Sequence, residues 1–389
     1  MVERLEDLNR FDGAVELPFN GPRTPMLLLP ETTVKQNLLV NGGMRVNQRR
    51  LYDSDLYLPA FYIRNGTRYG LADRWRVDAA HMCEWKVSTE KFDGNNWFTV
   101  NKAAYPFATD FITTWNMLTI SQWIAKGNCP PPTDNIVFTA RFNATAGTYA
   151  VELIDHRRES EVSTSMSFVV RENRTPTISI IFPAQERSML ATNPRDRSLS
   201  DNDAGMTLRL WADAGSAYLP HLDDGVWHEV VEDLVIGDVP GHHILSTSKN
   251  DDIKMFAFTE ARLVSGHESS TNDILSRPIE DEVVLCKQYY EGGTVHQELE
   301  YEGPNKTIIR VPFDVKKIRV PQRIDASFEI WRTDYPKYTG WTKPYEAFRV
   351  ERVGIESFDM LLGFSSILKP GNTYRARVKY VADAELFGV

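Results

Sequence analysis

Cysteine is scarce in this chain: Cys83, Cys129 and Cys286 are the only three among 389 residues. Their odd number and wide spacing supply neither a disulfide framework nor the paired ligands of a structural zinc site. They read as buried free thiols. Long apolar runs are missing too. There is no stretch of eighteen apolar residues, and the opening "MVERLEDLNRF" places acids where a secretory leader needs a basic and then an apolar stretch. The expectation is a soluble product made in the cytoplasm, with no membrane insertion.

An excess of basic charge is also lacking. The net charge is −9, and residues 304–389 carry 15 Lys and Arg against 10 Asp and Glu, so that end is +5 and residues 1–303 are −14. Nucleic-acid binding needs a concentrated basic face to meet phosphates, which an acidic body does not offer. The basic end is suited to an acidic surface.

Catalytic patterns are absent as well. The chain has no G-x-S-x-G elbow, no H-E-x-x-H, no phosphate loop and no glycine-rich nucleotide fingerprint. In "DNDAG" (Asp201, Asn202, Asp203) the glycine comes one position early for a calcium loop and no closing glutamate follows, so a polar turn is expected. His221, Asp223, Asp224, His228 and Glu229 in "HLDDGVWHE" read as a turn followed by a strand rather than as metal ligands. Adjacent His242 and His243 would point to opposite faces of an extended segment. No metal or cofactor is expected, and the chain reads as non-enzymatic. Solenoid repeats and coiled-coil heptads are missing.

What is present is an ordinary globular composition, 42% hydrophobic and 25% charged with an aromatic share of 11%, in a chain long enough for two or three domains. Residues 1–36 have no sustained period and are punctuated by Pro22, Pro25 and Pro30, which predicts an extended arm. Its apolar patch at Met26 to Leu29 suits contact with the body or with a partner. From residue 37 to about 275, short alternating or β-branched runs recur between turn residues: "NIVFTARF", "TYAVELI", "VSTSMSFVV", "TPTISIIF", "MTLRLW" and "MFAFTEARLV". In the first, Ile136, Phe138 and Ala140 share one side while Val137, Thr139 and Arg141 share the other. Many such strands with no helix between them predict an antiparallel jelly-roll sandwich.

One fragment breaks the pattern. In "IEDEVVLCKQYYEGG" the residues Ile279, Val283, Cys286 and Tyr290 recur at helical spacing, acids crowd the start, and Gly292 and Gly293 follow. This predicts a clasp helix of about three turns whose apolar stripe lies on one sheet, with Tyr289 reaching toward a last domain. After it, "NTYRARVKYVA" alternates Tyr374, Ala376, Val378 and Tyr380 with Arg375, Arg377 and Lys379, whose charges face solvent or a partner and protect an edge. The domains expected are thus an arm at 1–36, a jelly roll at 37–278, a clasp helix and linker at 279–303, and a smaller β-domain at 304–389.

A binding surface is suggested by "WRTDYPKYTGWTKPYEAF", which gathers Trp331, Tyr335, Tyr338, Trp341, Tyr345 and Phe348 among turn residues. Rings on loops stack on flat partners such as sugar faces while their polar tips tolerate water. The same rings could instead plug the end of a small β-domain, or do each in part.

Four fragments in order carry a family resemblance: "NLLVNGGMRVNQRR" (Asn37 to Arg50), "YGLADRWRV" (Tyr69 to Val77), "RPIEDEVVLCKQYYE" (Arg277 to Glu291) and "VADAEL" (Val381 to Leu386). Together they resemble a layout in tailed-bacteriophage tail-fibre and virion appendage proteins, in which a jelly roll similar to carbohydrate-binding modules is closed by a helix and followed by a small β-domain. The resemblance implies structural roles for Asn37, Asn41, Arg45, Gln48, Arg49, Asp73, Arg74, Trp75, Val283, Cys286, Tyr289 and Tyr290. It also implies a homotrimer located in the virion, joined to other virion proteins through residues 1–36 and contacting host cell-surface polysaccharide. Two rivals stand beside that reading. One is a head-decoration or tail-adaptor protein without a host ligand. The other is a polysaccharide depolymerase, which would need opposed carboxylates about 5 to 9.5 Å apart.

Overall fold

Alternation of apolar and polar side chains governs nearly the whole of the computed structural model, which describes residues 37–48, 60–64, 66–69, 71–80, 84–104, 117–157, 161–171, 174–185, 204–214, 225–229, 255–266, 277–332, 340–343, 348–363 and 368–385. The expected arm at 1–36 lies outside them. The strands in order are β1 (Ala60–Ile63), β2 (Gly66–Tyr69), β3 (Arg76–Ala80), β4 (Glu84–Phe92), β5 (Asn95–Ala104), β6 (Met117–Ala125) and β7 (Ile136–Ala144). They continue with β8 (Gly147–Asp155), β9 (Val162–Val170), β10 (Thr177–Phe182), β11 (Ala204–Ala214), β12 (His228–Glu229) and β13 (Met255–Ser265). Helix α1 (Ile279–Lys287) follows. The last strands are β14 (Tyr290–Tyr301), β15 (Ile308–Pro312), β16 (Arg323–Arg332), β17 (Gly340–Thr342), β18 (Phe348–Glu351), β19 (Ser357–Leu362) and β20 (Asn372–Asp383).

The first thirteen strands form two antiparallel sheets, ordered β1, β4, β5, β13, β7, β10 and β12, β9, β8, β11, β6, β3, β2. Consecutive strands stay in one sheet only at β2 and β3, β4 and β5, β8 and β9, and β11 and β12; at every other step the chain crosses to the opposite sheet. This is the expected jelly-roll sandwich. Ile136, Phe138, Ala140 and Phe142 of β7 enter one core with Tyr149, Val151 and Leu153 of β8 and Leu208 of β11, as their alternation requires. Val137, on the opposite face, is also buried, because it meets Val264 of the neighbouring β13.

The last seven strands form a second, smaller sandwich, with sheets ordered β14, β20, β16, β17 and β15, β19, β18. Its core includes Tyr301, Val311, Phe328, Ile330, Phe358, Met360 and Val378. Strand β14 pairs along its whole length with β20, from Tyr290 opposite Asp383 to Tyr301 opposite Asn372. Residues 290–301, within the segment 279–303 expected to hold the clasp helix and a linker, are thus a strand of the second sandwich.

The reason lies in Gly292 and Gly293. They do not stop a helix; they are strand residues, and a Cβ at Gly293 would stand 2.7 Å from the Tyr380 ring that crosses it. Helix α1 ends at Lys287, one turn shorter than predicted, so Tyr289 and Tyr290 lie beyond it. Its apolar side also meets something other than a sheet: Cys286, Val283 and Leu285 pack on Val40 and Val46 of the segment that leads into the jelly roll.

Candidate functional site

The residues of the resemblance converge on the junction between the two sandwiches and act there as braces. Asn37 accepts hydrogen bonds from the amides of Leu39 (3.1 Å) and Leu263 (2.9 Å) and donates to the Ala261 carbonyl (3.1 Å), pinning the lead-in segment to β13. Asn41, in left-handed backbone at φ 58°, donates to the carbonyls of Val46 (2.8 Å) and Asp73 (3.0 Å) and accepts from the Val46 amide (2.9 Å). Buried Gln122 on β6 serves Val40 as a neighbouring strand would, accepting from its amide at 2.7 Å and donating to its carbonyl at 2.8 Å. No sequence signal singled out Gln122, since an amide in a strand is usually a solvent-facing residue.

Asp73, Arg74 and Trp75 divide three tasks. The Asp73 carboxylate accepts from the Gln48 amide at 3.0 and 3.1 Å, and the Trp75 indole donates to the Asn41 carbonyl at 3.1 Å while its ring stands edge-on to Phe258. Arg74 does more than satisfy backbone groups. Its guanidinium lies 3.4 Å from the Tyr289 ring centroid and 4.4 Å from that of Trp123, donates to the Trp123 carbonyl at 2.8 Å, and pairs with the Glu385 carboxylate. Glu385 also accepts from the Trp123 indole at 3.2 Å. Fragments 311 residues apart are thus joined by one ion pair that is 1% exposed on both sides. Tyr289 meets Trp123 of the jelly roll edge-on at 5.0 Å, while Ile318 of the second sandwich packs against the same cluster and the Ala384 amide donates to the Tyr289 carbonyl at 2.7 Å, so this residue bridges the two domains.

Arg45 is exposed and donates to the Arg277 carbonyl at 2.6 Å; Arg277 in turn donates to the carbonyls of Leu39 and Asn37 and pairs with Glu282. Glu282 accepts from the Asn41 amide. Arg49 lies outside the described residues.

A different surface brings together two of the sequence-predicted aromatic residues, Trp331 and Trp341. On the outward face of the sheet β14, β20, β16, β17, the register sets Trp341 beside Trp331, then Arg375, then Glu298. The next row is Glu329, Arg377 and His296, and the one after it Ser327, Lys379 and Thr294. Trp331 and Trp341 meet edge-on with centroids 5.5 Å apart, and both are half-buried. The Arg377 guanidinium sits 4.3 Å from the Trp341 centroid and is held by Glu329 through its Nε at 2.5 Å. Exposed His296 stands edge-on to Trp341 at 5.4 Å. The indole of Trp341 therefore reaches across the sheet, on a charged base that fixes it. Period-two alternation places these side chains opposite the core residues Ile330, Ala376 and Val378.

Tyr335, Tyr338 and Tyr345 lie outside the described residues. Phe348 packs against the second core, so that ring plugs the domain. Among the metal candidates, Asp201, Asn202, Asp203, His221, Asp223, Asp224, His242 and His243 also lie outside; His228 sits in β12, paired with Ser163 of β9, and Glu229 follows it in that strand. Among the described residues no group of three or more His, Cys, Asp or Glu could hold a metal ion.

Two buried polar clusters serve the scaffold. Burial pushes the Asp155 carboxyl up, but the Arg157 guanidinium, bonded to it at 2.7 and 2.9 Å, and the Gln185 amide at 2.7 Å outweigh burial and hold it below its ordinary value. In the second sandwich Lys317 pairs with Glu291 at 2.5 Å; burial depresses the ammonium, and Glu291 opposes that in part. Glu291 also accepts from the Tyr380 hydroxyl and the Asp314 amide. Burial drives the Cys129 thiol up to about 12 and that of Cys286 well above its usual range, so both are inert thiols rather than nucleophiles.

The structure thus defines a class, a mainly β protein of two antiparallel sandwiches joined by a short helix. No family model and no curated protein matches the chain. Among solved structures it is similar to one described as CBM4, at 11% identity and TM-score 0.25 over 58% of this chain and 97% of that one. It is similar to a family 11 carbohydrate-binding module from Clostridium thermocellum in complex with a β-1,3-1,4-mixed-linked tetrasaccharide, at 12% identity and TM-score 0.27 over 53% and 99%. A third is the R1 pyocin fibre of P. aeruginosa, at 7% identity and TM-score 0.16 over 87% and 91%. Likenesses at this level leave the function to be argued from the chain's own residues.

Proposed function

We propose that the chain is a non-enzymatic structural protein of a tailed-bacteriophage particle, a tail fibre or similar appendage, and that its second sandwich contacts host surface glycans. The observation that carries glycan contact is the half-buried pair Trp331 and Trp341 on an outward sheet face, with Arg377, Glu329 and His296 around it. A sugar has apolar C–H faces that stack on a ring and hydroxyls that exchange hydrogen bonds with charged groups, and this face offers both. The four ordered fragments support a place in the virion, reached after synthesis in the host cytoplasm. In this reading residues 1–36 attach to neighbouring virion proteins and three copies associate, so that weak sites are multiplied by avidity.

A purely structural role, as a head-decoration or tail-adaptor protein, is favoured by one observation: Arg377 and His296 already occupy two sides of the Trp341 ring. The two readings separate on an array of bacterial surface polysaccharides probed with the full chain and with Trp341→Ala. Glycan contact requires saturable retention that the variant lowers about tenfold or more, the loss of roughly 1.4 kcal/mol or more expected of an aromatic anchor, at a nearly unchanged melting temperature. Retention of no polysaccharide by the folded protein, or equal retention by the variant, rejects it.

A further inference from the structure

A second polar site lies on the jelly roll, apart from the tryptophan face. A cavity of about 220 Å³ opens between the lead-in segment, the β4–β5 hairpin, β13 and the start of α1. That is room for a small ring-sized ligand, and the cavity is open on one side. Two backbone devices build its wall. The hairpin turns on Asp93 (φ 50°) and Gly94 (φ 75°), a tight two-residue loop that sets Asn95 and Asn96 at its base. Opposite, β13 carries a bulge between Thr259 and Arg262, where Glu260 takes left-handed backbone at φ 53°. A bulge re-aims a side chain, and a bulky residue in that conformation is held there by its surroundings.

The lining groups differ in how far the fold already uses them. Arg277 and Glu282 are spent on the lead-in segment and on each other. Arg45 makes one bond, to the Arg277 carbonyl, and has no acidic partner among the described residues. Among the described residues Glu260 has only a 3.7 Å approach from Arg141, beyond hydrogen-bond reach. Asn95 makes one long bond at 3.3 Å, and the Asn96 side chain makes none among the described residues. The Arg45 guanidinium, with no ion-pair partner among the described residues, the Glu260 carboxylate and two amides therefore surround one small space that Arg262 also lines, with no aromatic ring among the lining residues. Hydroxyls donate to a carboxylate and accept from amides, while a guanidinium matches a carboxylate two bonds at a time.

We propose that this cavity binds a single carboxylate-bearing sugar, a uronic-acid unit, with Arg45 on its carboxylate and Glu260, Asn95 and Asn96 on its hydroxyls. The site stands independently of the tryptophan face.

The test is saturation-transfer NMR on the full chain with methyl glucuronide and methyl glucoside as probes at low salt. The expected result is saturable, millimolar binding of the glucuronide, about tenfold tighter than the glucoside. Arg45→Ala should abolish that preference and Glu260→Gln should weaken both sugars, with melting temperatures near wild type. A Trp331→Ala/Trp341→Ala variant should bind both probes as wild type does, which separates this site from the proposed glycan face. The absence of saturable signal for either probe overturns the proposal, as does equal affinity for the two, or binding untouched by Arg45→Ala and Glu260→Gln.

Discussion

Arg74 carries the most at the scale of one residue. It is 1% exposed, held between two aromatic rings, and the counterion of an equally buried Glu385. Arg74→Ala strands that carboxylate in the interior, a change that costs about 3–5 kcal/mol. Arg74→Lys keeps a charge but loses the planar stack, so it should fall between the two in urea unfolding. Gly42 is the other such position. A Cβ there would stand 2.0 Å from the Ala261 carbonyl oxygen, and the Gly42 carbonyl accepts from the Ala261 amide, so neither chain segment can retreat freely. Gly42→Ala should lower stability by about 1–3 kcal/mol or more in the same experiment.

At the scale of elements, the end of β8 is held by a carboxylate that works only when ionised. Asp155 accepts from Arg157 and Gln185, and its folded-state proton affinity lies below that of the unfolded chain. The unfolded state therefore binds more protons in acid. The stabilisation is complete above the ordinary value of 3.8 and is lost as pH falls through the lower folded-state value. Asp155→Asn should be less stable than wild type at neutral pH and show a shallower loss of melting temperature below about pH 4. A parallel acid profile for the two proteins would place the acid sensitivity elsewhere. The β13 bulge shows the same economy, since it docks the lead-in segment through Ala261 and turns Glu260 toward the cavity.

At the scale of the whole molecule, the two sandwiches share a buried junction. Trp123, Tyr289, Arg74 and Glu385 interlock there, and Arg319 adds a bond to the Glu385 carbonyl at 2.9 Å. Contacts of this kind couple the stabilities of the two domains, so calorimetry should find one transition for the described body. Arg74→Ala should split it in two, the smaller sandwich melting first. Two transitions in the wild type would mean that the junction orients the domains without coupling them. Under the proposed virion reading, deletion of residues 1–36 abolishes incorporation into particles and leaves these transitions unchanged.

By itself the sequence determined the class of fold and most of the strands, because a period of two is a local property and β-branched runs bounded by turns display it directly. It also placed Trp331 and Trp341 among the six aromatic residues of one turn-rich segment, and the ordered fragments implied structural roles for Asn37, Asn41, Asp73, Arg74 and Trp75. Tertiary structure alone decided their partners. Glycines 292 and 293 look the same in a helix stop and in a strand crossed by a tyrosine ring, and only the path of β20 tells them apart. Gln122, Glu282 and Glu385 are ordinary polar residues until the chain brings each to a buried amide or guanidinium it must satisfy. The cavity beside Glu260 had no local signal at all: its wall comes from four segments, and the distances between segments are set by packing rather than by spacing along the chain.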